Sequence, residues 1–252
     1  MSSDKSRPLV GQTALVTGGA KRLGRAIALA LARAGADVVV HCRSSVAEAQ
    51  AQAGELRALG RQAWVAQADL SDAAQAEALF ESACRSAGGS LDILVNSASI
   101  FDQGRLDDLN PADLDRNIHI NALGPFVLGR ALARSRRGGC IVNLLDSRIM
   151  DYDAEHAAYH LSKRLLATLT RMMALEFAPR VRVNAVAPGL ILPPPGEDEG
   201  YLERLKRTNP LERYGEPEDV ADAVLFLARS AFVTGQTIFV DGGRHMRGAV
   251  YG

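Results

Sequence analysis

Cysteine is scarce. The chain has three in 252 residues, Cys42, Cys84 and Cys140, widely spaced and without a C-x-x-C pair. An odd, scattered set argues against a disulfide framework and points to reduced thiols in a cytoplasmic protein. No metal-ligand spacing stands out, and no metal is expected. Net charge is also lacking: 29 Lys and Arg balance 29 Asp and Glu, so no global field draws the chain to nucleic acid or an anionic membrane. No apolar run reaches the ~18 residues that a membrane helix needs. Met1 to Pro8 lack the apolar stretch of a signal peptide. No Pro/Ser/Gly-rich linker, charge run or internal repeat divides the chain. With 47% hydrophobic residues, the expectation is one domain over residues 1–252 with a sizeable core.

What is present is alternation. Short β-rich runs begin at Thr13, Asp37, Ala63, Leu91, Ile141, Val181 and Thr237. Between them lie Ala-rich helical patterns over 22–34, 46–59, 72–86, 111–136, 156–178 and 217–228. Several strand runs are continuously apolar, as strands buried on both faces are. Ser71 stands as a candidate N-cap and Gly35 follows the first helix as a C-terminal glycine should. Strand–helix repetition of this kind closes as right-handed crossovers on a doubly wound, Rossmann-type α/β parallel sheet. Residues 192–214, with Pro193-Pro194-Pro195, interrupt the pattern and read as a mobile, ligand-covering loop with a short helix.

Directly after the first strand comes Thr17-Gly18-Gly19-Ala20-Lys21-Arg22-Leu23-Gly24. Glycines between a strand and a helix allow a tight turn and close approach of backbone to a pyrophosphate. Arg22 stands where such turns usually carry a middle glycine. It reads either as a solvated helix-start arginine or as a guanidinium over the diphosphate that reaches toward the substrate. The second strand ends in His41-Cys42-Arg43-Ser44, without the acidic residue that binds a ribose 2′-hydroxyl in NAD sites. Arg43 and Ser44, with Lys21, make a local basic pocket suited to a 2′-phosphate, and so to NADPH. Asp69 in Ala68-Asp69-Leu70 reads as an adenine-edge contact or as a helix-capping aspartate.

Tyr159-x-x-x-Lys163 opens a late helix, and this offset places both side chains on one helical face. There the ammonium would lower the phenol pKa and bond the nicotinamide ribose. Taken with Thr17–Gly24, Asn96-Ser97-Ala98, Asn121 and Pro188-Gly189, the chain resembles the short-chain dehydrogenases/reductases over roughly residues 9–245. The resemblance implies a proton relay through Asn121, Tyr159 and Lys163, and a dimer or tetramer. It also implies cofactor contacts from Gly18, Lys21 to Gly24, His41, Arg43, Ser44, Asp69, Leu70, Asn96 to Ser99, Pro188 and Gly189.

The departures from that family's pattern are informative. Its serine lies thirteen residues before the tyrosine, where this chain has Asp146, with Ser147 next. With Asp146 in place, a carboxylate beside a developing alkoxide would be repulsive, so the site suits C=N reduction better than ketone reduction. A register slipped by one residue restores Ser147. Asp146, Arg22 and Asn96-Ser97-Ala98-Ser99-Ile100-Phe101 are similar to the pteridine reductase branch, which includes bacterial dihydromonapterin reductases. That similarity implies a pterin stacked on Phe101 and held by Ser99 and Arg22. Phe101 reads otherwise as a loop-anchoring aromatic. Three readings follow: an NADPH-dependent reductase of dihydropteridines, a carbonyl reductase acting through Ser147, and a nucleotide-sensing regulator without turnover. A pure binder needs no proton relay, which counts against the third.

Overall fold

The computed structural model describes residues 8–135 and 137–247. Seven parallel strands form one sheet: β1 Thr13–Thr17, β2 Asp37–Cys42, β3 Ala63–Gln67, β4 Ile93–Asn96, β5 Gly139–Leu144, β6 Val181–Pro188 and β7 Thr237–Val240. Their order is β3-β2-β1-β4-β5-β6-β7. The chain therefore reverses direction across the sheet between β1 and β4, and a crevice opens there at the carboxyl ends of the strands.

Successive strand residues face opposite layers. Ala14 and Val16 pack with Ile27 and Leu31 of α1 (Arg22–Arg33), Leu56 of α2 (Val46–Ala58) and Val224 of α8 (Pro217–Arg229). Leu15 and Leu94 pack with Leu79 of α3 (Ala73–Ser86), Leu128 of α5 (Gly124–Arg134) and Met173 of α6 (Ala157–Glu176). Both faces are covered, which is why the strands read as unbroken apolar runs. The three cysteines are free, and no helix among the described residues is long and apolar enough to cross a membrane.

Three local expectations are corrected. The cap of α3 is Asp72, whose carboxylate accepts from the backbone of Ala74 and Gln75; Ser71 instead donates to Asp69. The fourth strand starts at Ile93, two residues later than its apolar run. The helix expected over 111–136 is α4 (Pro111–Ile118), a π turn (His119–Leu123) and α5. Pro125 offers no N–H to the carbonyl of Asn121, its partner in a regular α-helix. The turn widens there, and the Gly124 N–H bonds to His119 O. Residues 192–214 do contain a short helix, α7 (Glu199–Leu205), followed by a single turn over Lys206–Thr208.

Candidate functional site: a nucleotide crevice leading to a Tyr-Asp-Lys cluster

The β1–α1 turn lies at the switch point. Gly18 takes φ +64, and a methyl built on it would sit 3.0 Å from Ala98 Cα; one on Gly24 would sit 2.2 Å from Gly18 O. Backbone already fills the space beside Gly24, while Gly18 is tightly packed and in a left-handed conformation where a side chain is strained. No side chain caps α1 at Lys21, and no acidic residue stands in its first turn. Its leading N–H groups thus face the crevice free to meet an anion. Thr17 Oγ1 braces the neighbouring loop by accepting from the N–H groups of Ser97 and Ala98, each at 3.0 Å. The crevice has a volume of about 390 Å³, and its walls include Gly18, Lys21 to Gly24, His41, Arg43, Ser44, Asp69, Leu70 and Ser97 to Ser99. Asn96, Pro188 and Gly189 do not line it: Asn96 turns inward and donates to Asn143 at 2.8 Å.

Four residues there carry more than the sequence indicated. Arg22 adopts φ +52, a left-handed conformation that glycine would take without strain. Its guanidinium bonds to Pro193 O in the 192–214 segment. His41 is a brace: Nδ1 accepts from the Gly18 N–H at 3.1 Å, and Nε2 lies 3.1 Å from Ala68 O. Burial holds its pKa below the usual histidine value. Asp69 Oδ1 accepts from Ser71 N–H and Oγ, so the carboxylate shapes its own turn while lining the crevice. Lys21 is paired with Glu48 at 2.6 Å, which offsets part of the expected basic pocket and leaves Arg43 as its outer cation.

At the far end β5 delivers Asp146 in extended conformation, φ −146 and ψ 148. Its Oδ1 accepts from Arg148 N–H at 2.7 Å, capping a turn over Ser147–Ile149. Its Oδ2 accepts from Tyr159 Oη at 2.9 Å. Capping with one oxygen aims the other at the phenol. Ser147 is buried, 2% exposed, and makes no side-chain hydrogen bond to Tyr159.

Lys163, 3% exposed, donates to Leu144 O at 2.8 Å. Burial pulls its pKa down to about 8, opposed by Asp146. The Tyr159 phenol is pushed well above its ordinary value by burial and by Asp146. Burial and the carboxylate, not the ammonium 5.7 Å from the ring centre, set this direction, opposite to the lowering expected from the lysine. Asn121 Oδ1 accepts from Ser99 Oγ and Ile100 N–H, and its Nδ2 donates to Ser162 Oγ at 3.0 Å. It pins the Ser99–Phe101 loop to α6.

Phe101 stands edge-on to Tyr159 at 4.7 Å and stacks on His156 at 3.9 Å. His156 escaped the sequence reading. With Asp153 and His160 it forms a cluster whose ligand atoms lie within 4.8 Å of one another. The Asp153 carboxylate spans both rings, 2.9 Å from His156 Nδ1 and 3.1 Å from His160 Nε2. Burial pushes the Asp153 carboxyl up, but hydrogen bonds from the two histidines and Glu155 N–H outweigh this and hold it far below the carboxylate range. The signal available was the His156/His160 spacing of four, one helical face. These contacts brace Phe101 from behind.

A family model described as enoyl-(acyl carrier protein) reductase matches residues 17–245. The chain belongs to the short-chain dehydrogenase/reductase family. An uncharacterised oxidoreductase of Mycobacterium tuberculosis is 38% identical over 244 residues, covering 92% of this chain and 91% of its own. A 3-oxoacyl-[acyl-carrier-protein] reductase of Synechocystis is 36% identical, covering 94% of this chain and 98% of its own. Among solved structures, the FolM alternative dihydrofolate reductase 1 of Brucella canis, complexed with NADP, superposes with a TM-score of 0.87 at 35% identity. That match covers 95% of this chain and 96% of the other, in keeping with the pteridine reductase branch.

Proposed function

We propose that this protein is an NADPH-dependent reductase of dihydropteridines that adds hydride to a ring C=N. The observation carrying this reading is the 2.9 Å hydrogen bond from Tyr159 Oη to Asp146, where simple carbonyl reducers of the family pattern carry a neutral hydroxyl. A carboxylate there opposes the alkoxide of ketone reduction, whereas a reduced C=N needs only a proton at nitrogen. Tyr159, kept protonated by burial and Asp146, supplies that proton, and Asp146 orients the phenol. Asn121 fixes the loop that presents Ser99 and Phe101, and Phe101 offers a face for a flat ring. Arg22 bonds to Pro193 O of the 192–214 segment, which in this reading covers the bound ligands.

The cofactor is NADP(H), whose nicotinamide supplies the hydride when bound. Gly18, Lys21, Leu23, Gly24, Ser97 and Ala98 would hold its phosphates and nicotinamide half. Arg43 and Ser44 would hold the 2′-phosphate, Asp69 and Leu70 the adenine side, and Lys163 the ribose. Small-molecule turnover in a dimer or tetramer completes the reading; Leu161, Met172 and Leu175, spaced along one face of α6 and exposed, are apolar surface that a second copy would cover.

The relatives named 3-oxoacyl reductases favour a second reading, carbonyl reduction through Ser147. Steady-state kinetics on a dihydropterin and a 3-oxoacyl thioester separate the two. Under the first, Asp146→Ala lowers turnover on the pterin by about one to four decades, Ser147→Ala is nearly silent, and Phe101→Ala weakens pterin binding by about 1–3 kcal/mol. Dominance of Ser147, with the thioester as the better substrate, overturns the first reading.

A further inference from the structure

β7 is followed by a single turn near the carboxyl end, Arg244–Met246. The turn is firmly built. Gly243 takes φ +85, and Asp241 accepts from Gly243 N–H at 2.9 Å and from His245 N–H at 2.7 Å. The His245 ring stacks on Phe239 at 3.9 Å. Arg247 donates to Arg207 O at 2.7 Å, tying the turn to the covering segment. The turn packs against Ser147–Ile149, the turn that Asp146 caps.

Within this fixed frame one group is left without a partner. The Arg244 side chain makes no hydrogen bond or ion pair with any described residue, though the residue is only partly exposed. Burial and the charge of Arg148 pull its pKa down, with Asp146 and Asp151 opposing. Arg148 is itself paired, 3.4 Å from Asp151 and 3.9 Å from Asp153. Asp146 and Asp153 are committed to Tyr159 and to the histidines. Burial raises the phenol pKa of Tyr201 in α7, opposed by the charge of Arg244. Holding an unpaired guanidinium half out of water beside a like charge is unfavourable, unless an anion arrives to share it.

We propose that Arg244, on the turn that packs against the one Asp146 caps, is the anion-binding end of the substrate cleft, so that the preferred dihydropteridine carries a carboxylate or phosphate on its side chain. The proposal rests on the pteridine reading and sharpens it. A guanidinium takes such a group through two parallel N–H···O bonds, a geometry that lysine does not offer.

The test compares dihydrofolate, whose tail ends in carboxylates, a dihydropterin with a phosphorylated side chain, and dihydrobiopterin, whose tail is uncharged. At low salt the charged substrates should have the higher kcat/KM, by about tenfold and mostly through KM. The better of the two identifies the anion. R244Q should collapse that ratio and R244K should restore only part of it. Calorimetry with p-aminobenzoylglutamate, the tail alone, should show binding that R244Q abolishes, a readout free of turnover. Equal efficiency on charged and neutral tails overturns the proposal while leaving pteridine reduction intact. So does an R244Q variant that lowers kcat on all substrates and moves the pH profile, since Arg244 would then act on Asp146. A protein that reduces none of the pteridines but reduces a 3-oxoacyl thioester overturns both readings together.

Discussion

At the nucleotide end the working groups are backbone: uncapped N–H groups of α1 and a turn that leaves no room for a methyl at Gly24, braced by Thr17 and His41. At the candidate catalytic end they are side chains, a buried phenol and a buried ammonium with a half-buried carboxylate bonded to the phenol. A surface made of backbone tolerates changes of side-chain chemistry but not of shape. A cluster of titrating side chains tolerates little change of chemistry even when shape is kept. The first end should therefore break when an atom is added, the second when one is removed.

The largest effect belongs to the second. Tyr159→Phe removes a single oxygen from a buried ring and should cut turnover by about a hundredfold or more, while fluorescence titration still shows NADPH binding. Turnover close to wild type would remove Tyr159 from the chemistry. The matching change at the first end is Gly24→Ala. The added methyl would lie 2.2 Å from Gly18 O and 2.8 Å from its carbonyl carbon. Neither is a flexible side-chain end, so α1 or the turn must move. Cofactor affinity should fall by about tenfold or more, as when one charge-assisted contact is lost, with thermal stability falling alongside. An unchanged affinity would mean that the turn does not cradle the diphosphate.

The difference between the two ends also governs what the sequence could reveal. Backbone-built features leave local signatures: glycines after a strand, unbroken apolar runs for strands covered on both faces, and Gly35 after α1. These were legible, and the sheet follows from them. Side-chain clusters assemble from distant segments and leave weaker traces. The sequence could not choose between Asp146 and Ser147, because the choice depends on which side chain the backbone after β5 aims at Tyr159. Glu48 pairs with Lys21 across two helices, and it lies in no motif. The π turn was missed although Gly124-Pro125 marked it, since helical periodicity on both sides masked the break.

Cofactor choice tests the outer rim, where the two kinds of construction meet. Arg43→Ala should reduce the preference for NADPH over NADH by about tenfold, the worth of one charge-assisted contact. Catalytic efficiencies with the two cofactors measure this directly, and a preference that survives the substitution would assign the 2′-phosphate elsewhere. The lysine of the inner cluster adds a pH dependence. Lys163 titrates at about 8, so its charge is present below that pH and is lost as pH rises through it. NADPH affinity should weaken several-fold over that range, and Lys163→Met should flatten the profile. Stability moves the other way: the folded pKa lies below the unfolded value, so the cost of burying the charge is present below about 8 and relieved above it. Affinity that stays level from neutral to alkaline pH would separate Lys163 from the ribose.

The smallest effect, and the one that probes the rim most finely, is expected at Glu48. Its carboxylate sits 2.6 Å from Lys21, with both side chains about half exposed, and the bond to Lys21 holds its pKa below the usual range. This acid does not stand at the end of β2, where a ribose-binding carboxylate would, but in the first turn of α2. It competes with the cofactor for Lys21 without offering the ribose a partner. Glu48→Gln keeps the shape and releases the lysine, so NADPH should bind more tightly, by about two- to fivefold, the scale of an exposed ion pair. Binding of NADH, which has no 2′-phosphate, should respond less. The gain should shrink as ionic strength rises, because charges this exposed are screened. If Glu48→Gln instead weakens NADPH binding, the ion pair serves to hold Lys21 in position, and the basic rim depends on that acid instead of being diminished by it.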